Sequence, residues 1–228
     1  MSETPHIYTC ENGSKVPSVT SILQVLGSAS LMRWSNSLGF KHIDYETRLN
    51  EAARKGTIVH SCLQQIVDKN AEKVPITFSN GFEEKFTLSS VENFNRLIKK
   101  FSYETIYTEK SFSSSKLGYG GTIDWYVKMG DMKLLGDFKT SKNIHLKHLL
   151  QLGGYYNLMI ENGEEVDGAF ILNVNDTKGV IRFVDKDQLI LLGRVFNNLA
   201  QYYDILITEL EKFPENIEFR KLFEKIVA

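Results

Sequence analysis

Three residues in GGTIDWYVKMGDMKLLGDFKT, residues 120–140, combine types and spacing that suit chemistry: Asp124, Asp137 and Lys139. Gly130-Asp131 reads as a two-residue turn, a Gly-X pair suited to a tight hairpin. Met129 then faces Met132, and counting back along both strands sets Asp124 directly opposite Asp137. Side chains so opposed have Cβ atoms about 4.5–5.5 Å apart. Two ionised carboxylates there repel by roughly 3 kcal/mol at an effective dielectric of about 20. A divalent cation removes that repulsion, because paired carboxylates are hard oxygen ligands for Mg2+ or Mn2+, ions that keep several waters and accept a phosphate oxygen. Lys139, two residues from Asp137 and on the same side of its strand, would orient the nucleophile or stabilise developing charge in phosphodiester hydrolysis. A solvated face whose Lys139 partly neutralises two aspartates accounts for the same residues without chemistry. The depletion of Asp in strands, and the large apolar neighbours here, weigh against it.

The elements that must position these groups follow from periodicity. Alternation gives the hairpin one face of Ile123, Trp125, Val127, Met132, Leu134 and Phe138, which reads as core, and another of Thr122, Asp124, Tyr126, Leu135, Asp137 and Lys139. Upstream, VPSVTSILQVLG is a short helix capped by Ser18 or Thr20 and closed by Gly27, and SLMRWSNSLGF a second ending at Gly39. A longer helix spans about 46–68, its apolar face Ile58, Val59, Cys62, Leu63, Ile66 and Val67. A helix near 90–100 and a strand near 104–113 precede the hairpin. Beyond it, HLKHLLQLGGYYNLMI reads as a helix, AFILNV and GVIRFV as strands around NDTKG, and residues 185–212 as a helix leading into a short C-terminal one. No repeat or low-complexity linker divides the chain, so residues 1–228 read as one domain, with about 1–45 as a helical N-terminal extension.

Composition narrows the remaining classes. With 228 residues, 42% of them hydrophobic, the chain can bury a sizeable core. A net charge of −1 supplies no global field for a polyanion, so any nucleic-acid contact must come from a local patch. Cys10 and Cys62 are too few for a disulfide framework, a four-cysteine zinc site or a four-cysteine iron–sulfur cluster. No segment approaches the roughly 18 apolar residues of a membrane span, and the N-terminus lacks a signal-like apolar run. A soluble, intracellular protein without membrane partners is expected.

Gly-x-x-Asp at Gly121 to Asp124, followed on the next strand by Asp-Phe-Lys-Thr at 137 to 140, resembles the signature of the PD-(D/E)XK nuclease superfamily, and particularly its RecB-like exonuclease branch. KGTIVHSCLQQ places His60 where that branch carries a metal-binding histidine on an upstream helix, and Gln151 and Tyr155 match its Gln-x-x-x-Tyr motif. VPSVTSIL followed by LMRW is similar to the start of the mitochondrial genome maintenance exonuclease and its phage and bacterial relatives. Ile123 stands where the superfamily pattern has Pro, and Asp137 where it has Glu; both variations occur within the branch.

The resemblance implies an α/β fold, a restriction-endonuclease-like core with a central mixed sheet flanked by helices. It implies His60, Asp124 and Asp137 as ligands of Mg2+ or Mn2+, the Phe138 backbone carbonyl as a further one, and Lys139 as the catalytic lysine. No iron–sulfur cluster is expected. Gln151 and Tyr155, four apart on one helical face, would support the site or touch the substrate backbone, or Tyr155 would simply pack on the sheet. From Phe138 to Ile160 no acidic residue occurs, and Lys142 and Lys147 supply a basic surface for phosphates or an ordinary solvated helix face. Arg33, Trp34, Tyr119 and Tyr126 are candidates for gripping or stacking on unpaired bases, with Trp34 equally suited to the core. His145 and His148 lack the nearby acid that a second metal site would need, and Glu109 on the preceding strand either assists the site or, as the favoured reading, pairs at the surface near Lys110. The expected activity is metal-dependent exonucleolytic hydrolysis of single-stranded DNA, or of DNA with single-stranded ends, in replication, recombination or repair. A structure-specific flap or branch endonuclease and a catalytically inactive DNA-binding module are the alternatives.

Overall fold

The computed structural model describes residues 6–27, 29–69 and 73–207. Two three-residue strands, β1 (Ile7–Thr9) and β2 (Lys15–Pro17), pair antiparallel before the first helix. The sequence reading of this region was wholly helical and had no place for them; three residues are too short for alternation to show. Ser18 then caps α1 (Val19–Ile22) by accepting from the Ser21 N–H, and a 3-10 turn (Leu23–Leu26) runs on to Gly27 at φ 55°, as the glycine implied. Next come α2 (Ala29–Phe40) and α3 (Tyr45–Val67), the latter capped by Asp44, whose carboxylate accepts from Thr47 N–H at 2.7 Å. The stripe Val59, Leu63 and Val67 is the buried face of α3.

Helix α4 (Gly81–Ile98) starts about ten residues before the position read from sequence. Its N-terminal half turns Glu83, Thr87 and Ser90 inward, so hydropathy gives no signal there. Glu83 is held by Arg54 Nε at 2.8 Å and by the Ser79 N–H. The strands β3 (Glu104–Ser114), β4 (Tyr119–Met129) and β5 (Met132–Lys139) follow, then α5 (Leu146–Glu161), β6 (Gly168–Val174), β7 (Gly179–Asp185) and α6 (Lys186–Ile205). The expected end of the last helix at 212 and the short helix after it lie outside the described residues.

The central sheet is five-stranded and mixed, in the order β3-β4-β5-β6-β7, antiparallel except for the parallel β5–β6 pair. Helices flank it, and with the helical N-terminal region the architecture is that of a restriction-endonuclease-like α/β core. Both faces are covered, which corrects the expectation of one apolar and one charged side. One cluster joins Ile123, Tyr126 and Leu135 to Leu152, Tyr155 and Leu158 of α5 and Phe196 of α6. The other joins Trp125, Val127, Leu134 and Phe138 to Val59 and Leu63 of α3 and Phe94 of α4. Helices α5 and α6 touch so closely that a Cβ on Gly153 would lie 2.4 Å from the Leu192 backbone, which explains a glycine inside a helix. Among the described residues no helix is long and apolar enough to cross a membrane.

Candidate metal centre

The β4–β5 ladder keeps the register set by its turn, from Met129↔Met132 to Trp125↔Gly136, and then stops. Asp124 and Asp137 are the next positions. Their strands no longer exchange backbone hydrogen bonds; instead Asp124 Oδ2 accepts the Phe138 N–H at 2.8 Å. The pleat also breaks here, since Ile123 belongs to the α5-side cluster and Trp125, two residues on, to the α3-side cluster. A side chain thus does the work of a ladder rung, and the opening it leaves is where the polar groups gather.

Asp137 is fully buried and Asp124 only 9% exposed. Burial raises both carboxyl groups above the usual carboxylate range, Asp137 to about 6, although Lys139 pulls in the other direction. Lys139 Nζ lies 2.7 Å from each Asp137 oxygen but hydrogen-bonds only Oδ1, leaving buried Oδ2 without a hydrogen bond. On α3, His60 is anchored beside Val59 and meets the Phe138 ring edge-on, centroids 5.8 Å apart. Although 29% of its side chain stays open, desolvation of the ring and the Lys139 charge lower its pKa to about 4, against the upward pull of Asp137 and a hydrogen bond with the Phe138 backbone. The imidazole is therefore neutral near pH 7, and its Nδ1, 3.7 Å from Asp124 Oδ2, makes a polar contact rather than an ion pair.

Glu109, for which the sequence favoured a place at the surface, joins this group. In the β3–β4 register Thr108 faces Trp125 and Lys110 faces Ile123, so Glu109 stands opposite Asp124. Its φ of 49° lies in the left-handed region, an uncommon conformation for a residue with a side chain. One ligand atom each from His60, Glu109 and Asp124 all fall within 4.8 Å of one another. Although the residue is exposed at the cleft, desolvation of its carboxyl by surrounding atoms, and then the Asp124 charge, raise the Glu109 pKa to about 7. These three residues line an open cleft of about 630 Å3 with Gly56, Thr57 and Gln64 of α3. The sequence-read ligand set had Asp137 and not Glu109; Asp137 lies enclosed next to the triplet, where the Asp124 charge acts on it.

A divalent cation fits this set. The donors are hard carboxylate oxygens and a neutral imidazole, one carboxylate oxygen is buried without a hydrogen bond, and both aspartates carry the cost of burying charge. Behind the aspartates, Gln151 Nε2 donates to the Tyr155 hydroxyl at 2.7 Å. Burial, then the charges of Asp124 and Asp137, hold that hydroxyl well above its ordinary pKa. The Tyr155 ring occupies the space over Gly121, where a Cβ would come within 2.6 Å of it, so the glycine of Gly-x-x-Asp and the tyrosine of Gln-x-x-x-Tyr are two sides of one contact.

The remaining sequence-read residues divide. Lys142 is exposed in the loop after β5, and Lys147 is half-buried in the first turn of α5. Arg33 is exposed on α2; Trp34, 37% exposed, meets Tyr45 of α3 edge-on at 5.4 Å and is not core. Tyr119 and Tyr126 are buried, with hydroxyls bound to Asn197 and to the Glu165 carbonyl, so neither can stack on a base. His148 Nδ1 accepts the His145 N–H at 3.3 Å, a helix-start contact rather than a ligand pair.

No family model matches the sequence, and no curated protein matches it. Among solved structures it is similar to SSO0001, with a TM-score of 0.43 and 14% identity over 84% of this chain and 75% of that one. It is also similar to LHK-Exo in complex with dAMP, with a TM-score of 0.37 and 10% identity over 86% of this chain and 94% of that one. Likenesses this distant say nothing about the chemistry of the cleft.

Proposed function

We propose that the chain is a divalent-cation-dependent deoxyribonuclease of the RecB-like kind, a single nuclease domain acting as an exonuclease on single-stranded DNA or single-stranded ends. The observation that carries this reading is the open end of the β4–β5 ladder, where His60, Asp124, Asp137 and Lys139 from three elements converge around a buried carboxylate oxygen that accepts no hydrogen bond. Asp124, Asp137 and His60 would hold Mg2+ or Mn2+, with the Phe138 carbonyl as a further oxygen and Glu109 at the cleft rim. The ion would acidify a bound water and offset charge on the phosphate.

The protein's own groups have separable tasks. The Phe138 N–H fixes Asp124 in one orientation, and the neutral His60 ring keeps a lone pair available. Lys139 Nζ, held at the Asp137 carboxylate, is the cation placed to meet a phosphate oxygen as water adds to phosphorus and one P–O ester bond breaks. Gln151 and Tyr155 close the site from its α5 side, where they would support the aspartates or touch the substrate backbone. Lys142 and Lys147 would carry the strand away from the cleft, with Arg33 and Trp34 on α2 as a second contact region.

End-labelled linear and circular single-stranded DNA, each incubated with Mg2+, Mn2+ or EDTA, tests the reading. Release of mononucleotides or short oligonucleotides from the linear form alone, only with a metal, is expected. Cutting of the circle would replace exonuclease by endonuclease, and an inert wild type in every metal would leave at most a binding module.

A further inference from the structure

Asn173, next to last on β6, has no task in the reaction just described. In the parallel β5–β6 pair it stands opposite Lys139, on strands that lie about 4.7–4.9 Å apart. Ile171 belongs to the α5-side cluster, while Leu172 and Val174 belong to the α3-side one, so Asn173 shares the face of Asp137 and Lys139. It is 1% exposed, and its Oδ1 has no hydrogen-bond partner. A buried acceptor left unsatisfied is costly, and a leucine of similar volume would avoid the cost. An acceptor retained there calls for a donor that arrives in another state.

Lys139 is that donor. In this structure its ammonium straddles the Asp137 carboxylate, at 2.7 Å from both oxygens. The same oxygens are the ones that the nuclease reading gives to a divalent ion, and an ammonium and a divalent ion repel at one carboxylate. We propose that Asn173 is a positioning residue, the second acceptor of Lys139, whose Oδ1 takes the ammonium when Asp137 turns its oxygens to a cation. Lys139 then stays at the end of the sheet, where a phosphate oxygen can reach it. The inference rests on the metal reading of Asp124 and Asp137, and it goes beyond that reading in giving Lys139 two alternative partners.

Calorimetric titration of Mn2+ into the full chain, without DNA, separates this from a packing role. Four proteins are compared: wild type, Asn173→Leu, Lys139→Met and the double variant. Asn173→Leu should weaken Mn2+ binding by about tenfold, the scale of one hydrogen bond to a charged group. In the Lys139→Met background the same substitution should leave affinity unchanged, because no ammonium needs a second partner. Equal affinities for wild type and Asn173→Leu, or an equal loss in both backgrounds, overturn the proposal while leaving the metal site standing. Asn173→Asp, which keeps an acceptor should the leucine variant fold poorly, should bind Mn2+ at least as tightly as wild type; weaker binding also overturns it. A wild-type chain that takes up no Mn2+ removes the metal reading and this inference together.

Discussion

At its turn, the β4–β5 hairpin is regular: rungs run unbroken from Met129↔Met132 to Trp125↔Gly136, and Val127, Leu134 and Leu135 are buried among apolar neighbours. At its other end, one position past the last rung, the ladder is gone and two buried aspartates stand where the next rung should be. The first end stabilises the fold and offers nothing to react. The second carries raised carboxyl pKa values, a buried oxygen without a hydrogen bond and, on the neighbouring strand, a glutamate at positive φ. Local departures from a fold's own rules concentrate where a site is kept, and the rest of the fold offsets their cost. The contrast between the ends can be broken by mutation in either direction.

The largest effect belongs to the open end. Lys139→Ala should lower DNA cleavage by about 100-fold to 1,000-fold, the scale of losing one preorganised charge donor, while leaving Mn2+ binding largely intact. Cleavage at the wild-type rate would remove Lys139 from the mechanism. At the turn end the signs reverse. Leu135, fully buried between β4 and α5, should cost about 2–5 kcal/mol in urea unfolding when replaced by Ala. Rates measured on the folded fraction should stay near wild type, and a large loss of rate there would mean the two ends are not separable.

A third comparison uses the metal and pH together. Mn2+ at about 100 times its dissociation constant should add about 2.7 kcal/mol to wild-type stability, seen as a rise in Tm, and Asp124→Asn should lessen that rise. In EDTA the linkage runs the other way. Both aspartates have folded pKa values above their unfolded ones, so their ionisation opposes folding at pH 7 and is relieved as pH falls through about 6 toward the unfolded value. His60, with a lowered pKa, acts oppositely below about pH 6.5. It does so in both proteins, so the wild-type minus Asp124→Asn difference in Tm isolates the carboxylates. That difference should become less negative from pH 8 to pH 5; a flat profile would mean Asp124 is not a strained buried charge.

The parts legible in the sequence are those that local rules determine. Gly130-Asp131 set the hairpin register, the Val59–Leu63–Val67 stripe set the seating of α3, and the helix and strand after the hairpin follow from period alone. From the register, Asp124, Asp137 and Lys139 could be placed together, and His60 joined them only through the resemblance to the nuclease superfamily. Glu109 was left between site and surface, because β3 and β4 are joined through residues 115–118 with no two-residue turn to count from, and a positive φ leaves no mark in an isolated glutamate. The first half of α4 was hidden because its inward face is polar, with Glu83 satisfied by a distant Arg54. Tyr119 and Tyr126 were misjudged for the same underlying reason: aromatic residues on a strand look alike in sequence whether the sheet is covered on one face or on two.

The smallest expected effect tests how far the open end extends toward DNA. Lys142 is exposed and Lys147 half-buried, both in the acid-free stretch that leaves β5 and starts α5. Neither contacts the aspartates in the way Lys139 does, so they can neutralise phosphates without entering the chemistry. Replacing both by Ala should weaken single-stranded DNA binding and flatten its salt dependence by about 0.7 units of log–log slope for each phosphate no longer neutralised. Burial lowers the Lys147 pKa, so its share of that change should shrink first as pH is raised. Cleavage at saturating DNA should change less than affinity. If the double variant keeps the wild-type affinity and slope, the basic stretch is an ordinary helix face and the strand must run over α2, where Arg33→Ala would then produce the missing change in slope.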